Sequence, residues 1–205
     1  MTKKNDKKVE NKIEVRLEPL NHKTITLTVI GKTPLVVDTY PEEVRKSVWE
    51  KQAGATKSGK KKVRDIDNEI KLAEHIISKG KVGFPAAGFK KGMMNVTSRV
   101  GDKFFSKALV CGAVRIINAE NGLIPIDFKK KTIWEHAIGA QTKFSPSYHD
   151  WNCELTIQYD ANNISASDIV TLINYAGFYV GLGMDRPKGR DGGSGEHGMY
   201  EVQTN

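Results

Sequence analysis

Arg186, Lys188 and Arg190 stand among Gly181, Gly183, Gly192 and Gly193 in the stretch Gly181-Leu-Gly-Met-Asp-Arg-Pro-Lys-Gly-Arg-Asp-Gly-Gly-Ser-Gly-Glu-His197. A glycine backbone comes close to a ligand and exposes its N–H groups, because no Cβ intervenes. Guanidinium and ammonium groups interleaved with those amides match the charge of phosphate oxygens. A connecting loop with no ligand is the plain alternative.

What flanks the loop decides which phosphate site it could be. Residues 165–180 carry Ile169, Leu172, Ile173, Ala176 and Val180 at helical spacing, with Ser165 or Ser167 as the cap. Residues 198–203 read as a short closing strand. A dinucleotide fingerprint needs the opposite order, strand before the glycines and helix after them, so that class is excluded. Gly31-Lys-Thr33 is likewise no P-loop. Thr26 stands where the first glycine is required, and Pro34-Leu-Val-Val continues an extended chain where a helix must start.

Further upstream, residues 24–30 alternate, with Ile25, Leu27 and Val29 on one face and threonines on the other, as in a half-buried strand. Residues 42–52 and 65–77 read as helices, and 86–97 as a helix opened by the turn at Phe84-Pro-Ala-Ala-Gly88. Residues 107–117 read as an apolar strand, 123–126 and 132–138 as short strands, and 141–150 as a loop. Residues 151–159 alternate throughout, placing Trp151, Cys153, Leu155, Ile157 and Tyr159 on a core face. Stripped of insertions at about 39–84 and 119–148, the order is βαββαβ, which predicts an α+β, ferredoxin-like fold with both helices on one sheet face and the other face open. The expected organisation is a flexible basic arm at 1–21 and one domain over 22–205.

Composition narrows the partners. The chain has 205 residues and a formal net charge of +8, with a sequence pI of about 9.3. This balance favours polyanions, chiefly nucleic acid, or an acidic protein. The first ten residues lack the apolar stretch of a signal peptide, and no run reaches the length of a membrane span, so a cytoplasmic protein is expected, with no membrane partner. Cys111 and Cys153 have no metal-ligand spacing and are expected as buried free thiols, and no cofactor is predicted.

A helix that runs into a glycine-rich loop and is closed by a strand resembles the C-terminal signature of the CRISPR RAMP superfamily. Gly181-Leu-Gly183 and Gly193-Ser-Gly-Glu-His-Gly-Met-Tyr-Glu-Val202 carry that likeness. Thr33-Pro-Leu35 is similar to the Pro-Leu that closes the first strand of backbone-forming members. Phe84-Pro-Ala-Ala-Gly-Phe-Lys-Lys-Gly-Met-Met94 is similar to their turn and first helix, with Ala86 and Ala87 in place of two small polar residues.

The resemblance, whether to a free-standing viral member or to a CRISPR subunit, implies capture of single-stranded RNA or DNA, RNA before DNA, along the backbone. A homo-oligomer or filament goes with it. Carried over, Ala87, Gly88, Lys90 and Lys91 would meet phosphates at a helix N-terminus. Gly181, Gly183, Arg186, Lys188, Arg190, Gly192 and Gly193 would close over the same strand. Lys57, Lys60, Lys61, Lys62 and Arg64 would form a basic flap, against the plain alternative of a solvated charge run. Lys129, Lys130 and Lys131 form a smaller cluster. An aromatic such as Tyr148 or Tyr40 could stack on bases.

Some members of the superfamily cleave RNA with a histidine or with an aspartate after the first strand, which nominates Asp38 and His197. One isolated histidine does not make an acid–base site, and none of the histidines at 22, 75, 136, 149 and 197 are close in sequence. The reading therefore leans against an enzyme. Metal-independent endoribonuclease and a structural or inhibitory module that binds a protein partner remain the alternatives.

Overall fold

The computed structural model describes residues 19–39, 42–54, 64–100, 105–138, 141–188 and 195–203. Its strands are β1 (His22–Gly31), β2 (Leu35–Val36), β3 (Ile76–Ser78), β4 (Lys81–Pro85), β5 (Val114–Ile116), β6 (Leu123–Pro125), β7 (Lys130–Ile138), β8 (Gln141–His149), β9 (Asn152–Asp160) and β10 (Tyr200–Val202). The helices are α1 (Glu42–Gln52), α2 (Ile66–Leu72), α3 (Ala86–Val96), α4 (Lys107–Ala113) and α5 (Ala166–Tyr179).

The period-2 pattern of β1 sets the register of the central sheet. Ile25, Leu27 and Val29 lie opposite Ile157, Leu155 and Cys153 of β9, antiparallel. Leu155, Ile157 and Val29 are fully buried, whereas Thr24, Thr26 and Thr28 on the other face are exposed. Burying one such aliphatic side chain stabilises the fold by about 1.5–3 kcal/mol.

The sheet order is β10-β1-β9-β5. With α3 between β1 and β5 in sequence, and α5 between β9 and β10, this is the ferredoxin-like arrangement that the element order predicts. Ser165 caps α5 in a reciprocal box with Asp168. Phe89, Met93, Val96, Ile169, Leu172, Ile173 and Ala176, all buried, pack the two helices onto the sheet.

Two insertions build a second layer. One runs from β2 through β4 and the other from β6 through β8, and they join in a sheet ordered β2-β8-β7 and another ordered β3-β4-β6. Residues 141–149, expected within a loop over 141–150, are therefore strand. Pro146, Ser145 and Ser147 disguise it, yet Pro146 pairs with Ile133 of β7 and its carbonyl accepts from Val37 N at 3.0 Å.

Residues 107–117 also depart from expectation, since the first seven form α4. Ser106 caps it, accepting from Leu109 N at 3.0 Å. A short apolar run does not reveal its own period. The second insertion helix stops at Leu72 rather than Ile77, where Ile76 enters β3.

The insertion packs through a half-buried polar network. Tyr148 OH donates to Glu74 at 2.9 Å, and Lys131 pairs with the same carboxylate. His75 meets the Phe84 ring edge-on at 6.0 Å, and burial holds its pKa below the ordinary 6.5 despite the opposing field of Asp38. Because the folded state keeps His75 neutral, its contribution to stability is present above pH 6.5 and is lost as pH falls below that value. The expected result is a melting temperature that drops between pH 7 and 5, with a smaller drop in His75→Phe, as scanned by circular dichroism.

Candidate nucleic-acid interface

The glycine loop after α5 folds back on the end of β1. Met184 N donates to Val36 O at 2.9 Å, Gly198 N to Pro34 O at 2.8 Å and Lys32 N to Met199 O at 2.8 Å. Leu182 is fully buried beneath it. Gly183 has φ +72°, and a Cβ there would stand 2.1 Å from Val36 O. Packing of the loop on β2 thus requires that glycine before any ligand does. Gly181, the first glycine of the loop, sits at φ +64°. Arg186 Nε donates to Lys188 O at 3.0 Å, and the Lys188 side chain is exposed. Arg190, Gly192 and Gly193 lie outside the described residues.

The start of α3 is at the same end of the sheet. Gly31, the last residue of β1, pairs with Tyr200, and Tyr200 meets Phe89 of α3 at 5.7 Å between ring centroids. Phe89 in turn meets Phe84 at 6.1 Å, and the Phe84 ring fills the space where a Cβ of Gly88 would be, 2.6 Å away. Pro85 offers no side-chain cap, Ala86 N donates to Gly122 O at 2.9 Å, and Ala87 and Lys91 are exposed. Lys90 turns to the flank of α3 remote from the loop. Its Nζ donates to Cys111 O at 2.7 Å, beside a cleft of about 310 Å³ lined by Ala86, Ala87, Lys90, Arg115 and Ile116.

Other nominated residues are more constrained. Arg64 Nε bonds both carboxylate oxygens of Glu69, at 2.7 and 2.8 Å, and its guanidinium lies over the Phe144 ring at 5.4 Å. Lys57, Lys60, Lys61 and Lys62 fall outside the described residues, as does Tyr40. Tyr148 is only 1% exposed, with its phenol held protonated by burial and by the Glu74 charge, so it cannot serve as a stacking platform. Asp38 is tied to Lys143.

A cluster that the sequence reading missed joins the loop to the β7–β8 hairpin. His197 Nδ1 bonds Asp185 Oδ2 at 2.9 Å. The His197 ring meets Trp134 edge-on at 5.8 Å, and His136 stacks nearly parallel to Trp134, 4.8 Å away at 12°. His136 lies opposite Lys143 in the hairpin register. Trp134 and His136 sit two apart in a strand that the alternation detects, so their shared face was legible. The approach of His197 to Trp134 from 63 residues away was not.

The thiols separate by environment. Cys153 is buried, with its pKa pushed up to about 12 by burial and the Asp127 charge. Cys111 is exposed on α4 rather than buried in a strand. Titration with a disulfide reagent at pH 8 is expected to modify one thiol in the native protein and two in denaturant.

The topology defines a ferredoxin-like α+β protein with two insertions and a glycine loop docked at the end of its first strand. No family model matches the sequence, and no curated protein matches it. Among solved structures the chain is similar to Cmr6 from Pyrococcus furiosus, at 10% identity over 90% of this chain and 100% of that one, with a TM-score of 0.43. It is also similar to Thermus thermophilus Cas6, at 10% identity, 90% and 55% coverage and a TM-score of 0.34. A Cas6 product complex gives 12% identity, 90% and 52% coverage and a TM-score of 0.34. Among the described residues no helix is long and apolar enough to cross a membrane.

Proposed function

We propose that this protein binds single-stranded nucleic acid, RNA in preference to DNA, by capture of the phosphate backbone at the end of the sheet where α3 begins and the glycine loop docks. The observation that carries this reading is the connection of those two segments through Tyr200, which pairs with Gly31 and packs against Phe89. It brings the uncapped start of α3 and the cations Lys91, Arg186 and Lys188 to one end of the molecule. The likeness of both segments to RAMP turns supports RNA as the strand. Thr24, Thr26, Thr28, Thr156 and Gln158 on the open sheet face offer no aromatic ring for base stacking, which argues against recognition there.

The test is fluorescence anisotropy with unstructured RNA and DNA oligonucleotides across a salt series. Neutralising about four phosphates gives a log–log slope near −3, so affinity is expected to fall about 50-fold between 50 and 200 mM salt. Absence of binding at 50 mM salt, or binding indifferent to salt, contradicts the proposal. A metal-independent endoribonuclease is the second reading, favoured by the Asp185–His197 bond, which leaves Nε2 of that ring for proton transfer. It requires cleavage of RNA in chelator and its loss in His197→Ala.

A further inference from the structure

We infer that Trp134, His136, His197 and Asp185 form a nucleobase-stacking site, a conclusion that rests on the backbone-capture reading above. Trp134 and His136 are already a parallel stack, with rings 4.8 Å apart and 12° from coplanar. His136 is the exposed member and Trp134 the half-buried one. The stack therefore ends in a flat polar ring facing solvent, where one further planar ring can be added. Base–aromatic stacking tolerates any base, since every base has a π-face.

The rest of the cluster supplies the edge chemistry that a base needs. Asp185 Oδ2 and His197 Nδ1 hold each other at 2.9 Å, with side-chain exposures of 39% and 27%. The remaining carboxylate lone pairs and the second ring nitrogen can accept and donate to a base edge. His197 packs against Trp134 with ring centroids 5.8 Å apart at 66°, so these polar groups are neighbours of the stack. Asp185 directly precedes Arg186 in the chain. A nucleotide whose phosphate meets Arg186 thus has this cluster within the reach of its own sugar and base. The fold brings the groups together from two distant parts of the chain. Trp134 and His136 share one face of β7, Ser145 lies opposite Trp134 in β8, and Ser145 Oγ contacts Met184 Sδ of the loop at 3.9 Å.

The experiment compares a base-bearing RNA 12-mer with a ribose-phosphate 12-mer that lacks bases, by anisotropy at 50 mM salt. The wild-type protein is expected to bind the base-bearing strand about tenfold more tightly. His136→Ala, an exposed substitution, is expected to erase that difference, and His136→Phe, which keeps a flat ring, to retain it. Equal binding of both strands by wild-type protein overturns the stacking site and leaves backbone capture standing, as does an undiminished difference in His136→Ala. Failure to bind either strand overturns both.

Discussion

Charge reversal at Lys90, Lys91 and Arg186 is expected to lower the affinity for an unstructured RNA by about 100-fold at 50 mM salt and to flatten the salt slope by about two. Lys91 and Arg186 are each expected to contribute roughly 1.5 kcal/mol against a phosphate, and the two together multiply to that factor. The distribution of the loss is informative. Lys91 is exposed on α3, so Lys91→Glu removes charge and little else. Lys90 holds the Cys111 carbonyl near the end of α4, so its reversal also disturbs the α3–α4 contact. The double variant Lys91→Glu, Arg186→Glu keeps that bond and is expected to account for most of the effect. Reversal of Lys46, Lys71 and Lys79, exposed on the first insertion, changes net charge equally and is expected to cost less than tenfold. Equal losses in the two sets would mean that net charge, not the end of the sheet, governs binding.

Gly183→Ala carries a large expected effect on stability. Its φ of +72° is strained for any side chain, and the added Cβ would stand 2.1 Å from Val36 O. Relief requires the loop to lift, which breaks the Met184 N to Val36 O bond and uncovers Leu182. Left-handed strain of about 1–3 kcal/mol and lost packing together cost about 3 kcal/mol. For a chain of this size that corresponds to a fall of about 10 °C in melting temperature, read by calorimetry. The same variant is expected to lose nucleic-acid affinity, because Arg186 and Lys188 leave with the loop.

The core of the fold was legible because its elements obey one period each. The alternation over β1 and β9 gave both faces of the central sheet, and the spacing of Ile169, Leu172, Ile173 and Ala176 gave the buried face of α5, with Ser165 as its cap. The insertions were harder for physical reasons. α4 is seven residues long and apolar, too short to show a helical period. β8 carries Pro146 and two serines that are buried by tertiary pairing rather than by their own preference. The segments proposed to meet phosphates were visible as glycine and lysine runs, but several of their glycines answer to packing. Gly88 accommodates Phe84, and Gly183 accommodates Val36. The Trp134–His136–His197 cluster could not be assembled from sequence, since misreading β8 as loop removed the hairpin that presents it.

Photocrosslinking of a thiouridine-substituted single-stranded RNA, with the modified peptides mapped by mass spectrometry, tests the central claim most directly. Backbone capture at the end of the sheet predicts crosslinks in residues 86–96 and in the segments 181–188 and 195–198. Crosslinks confined to Thr24, Thr26, Thr28 and their neighbours on the open sheet face, or to the first insertion alone, would contradict it.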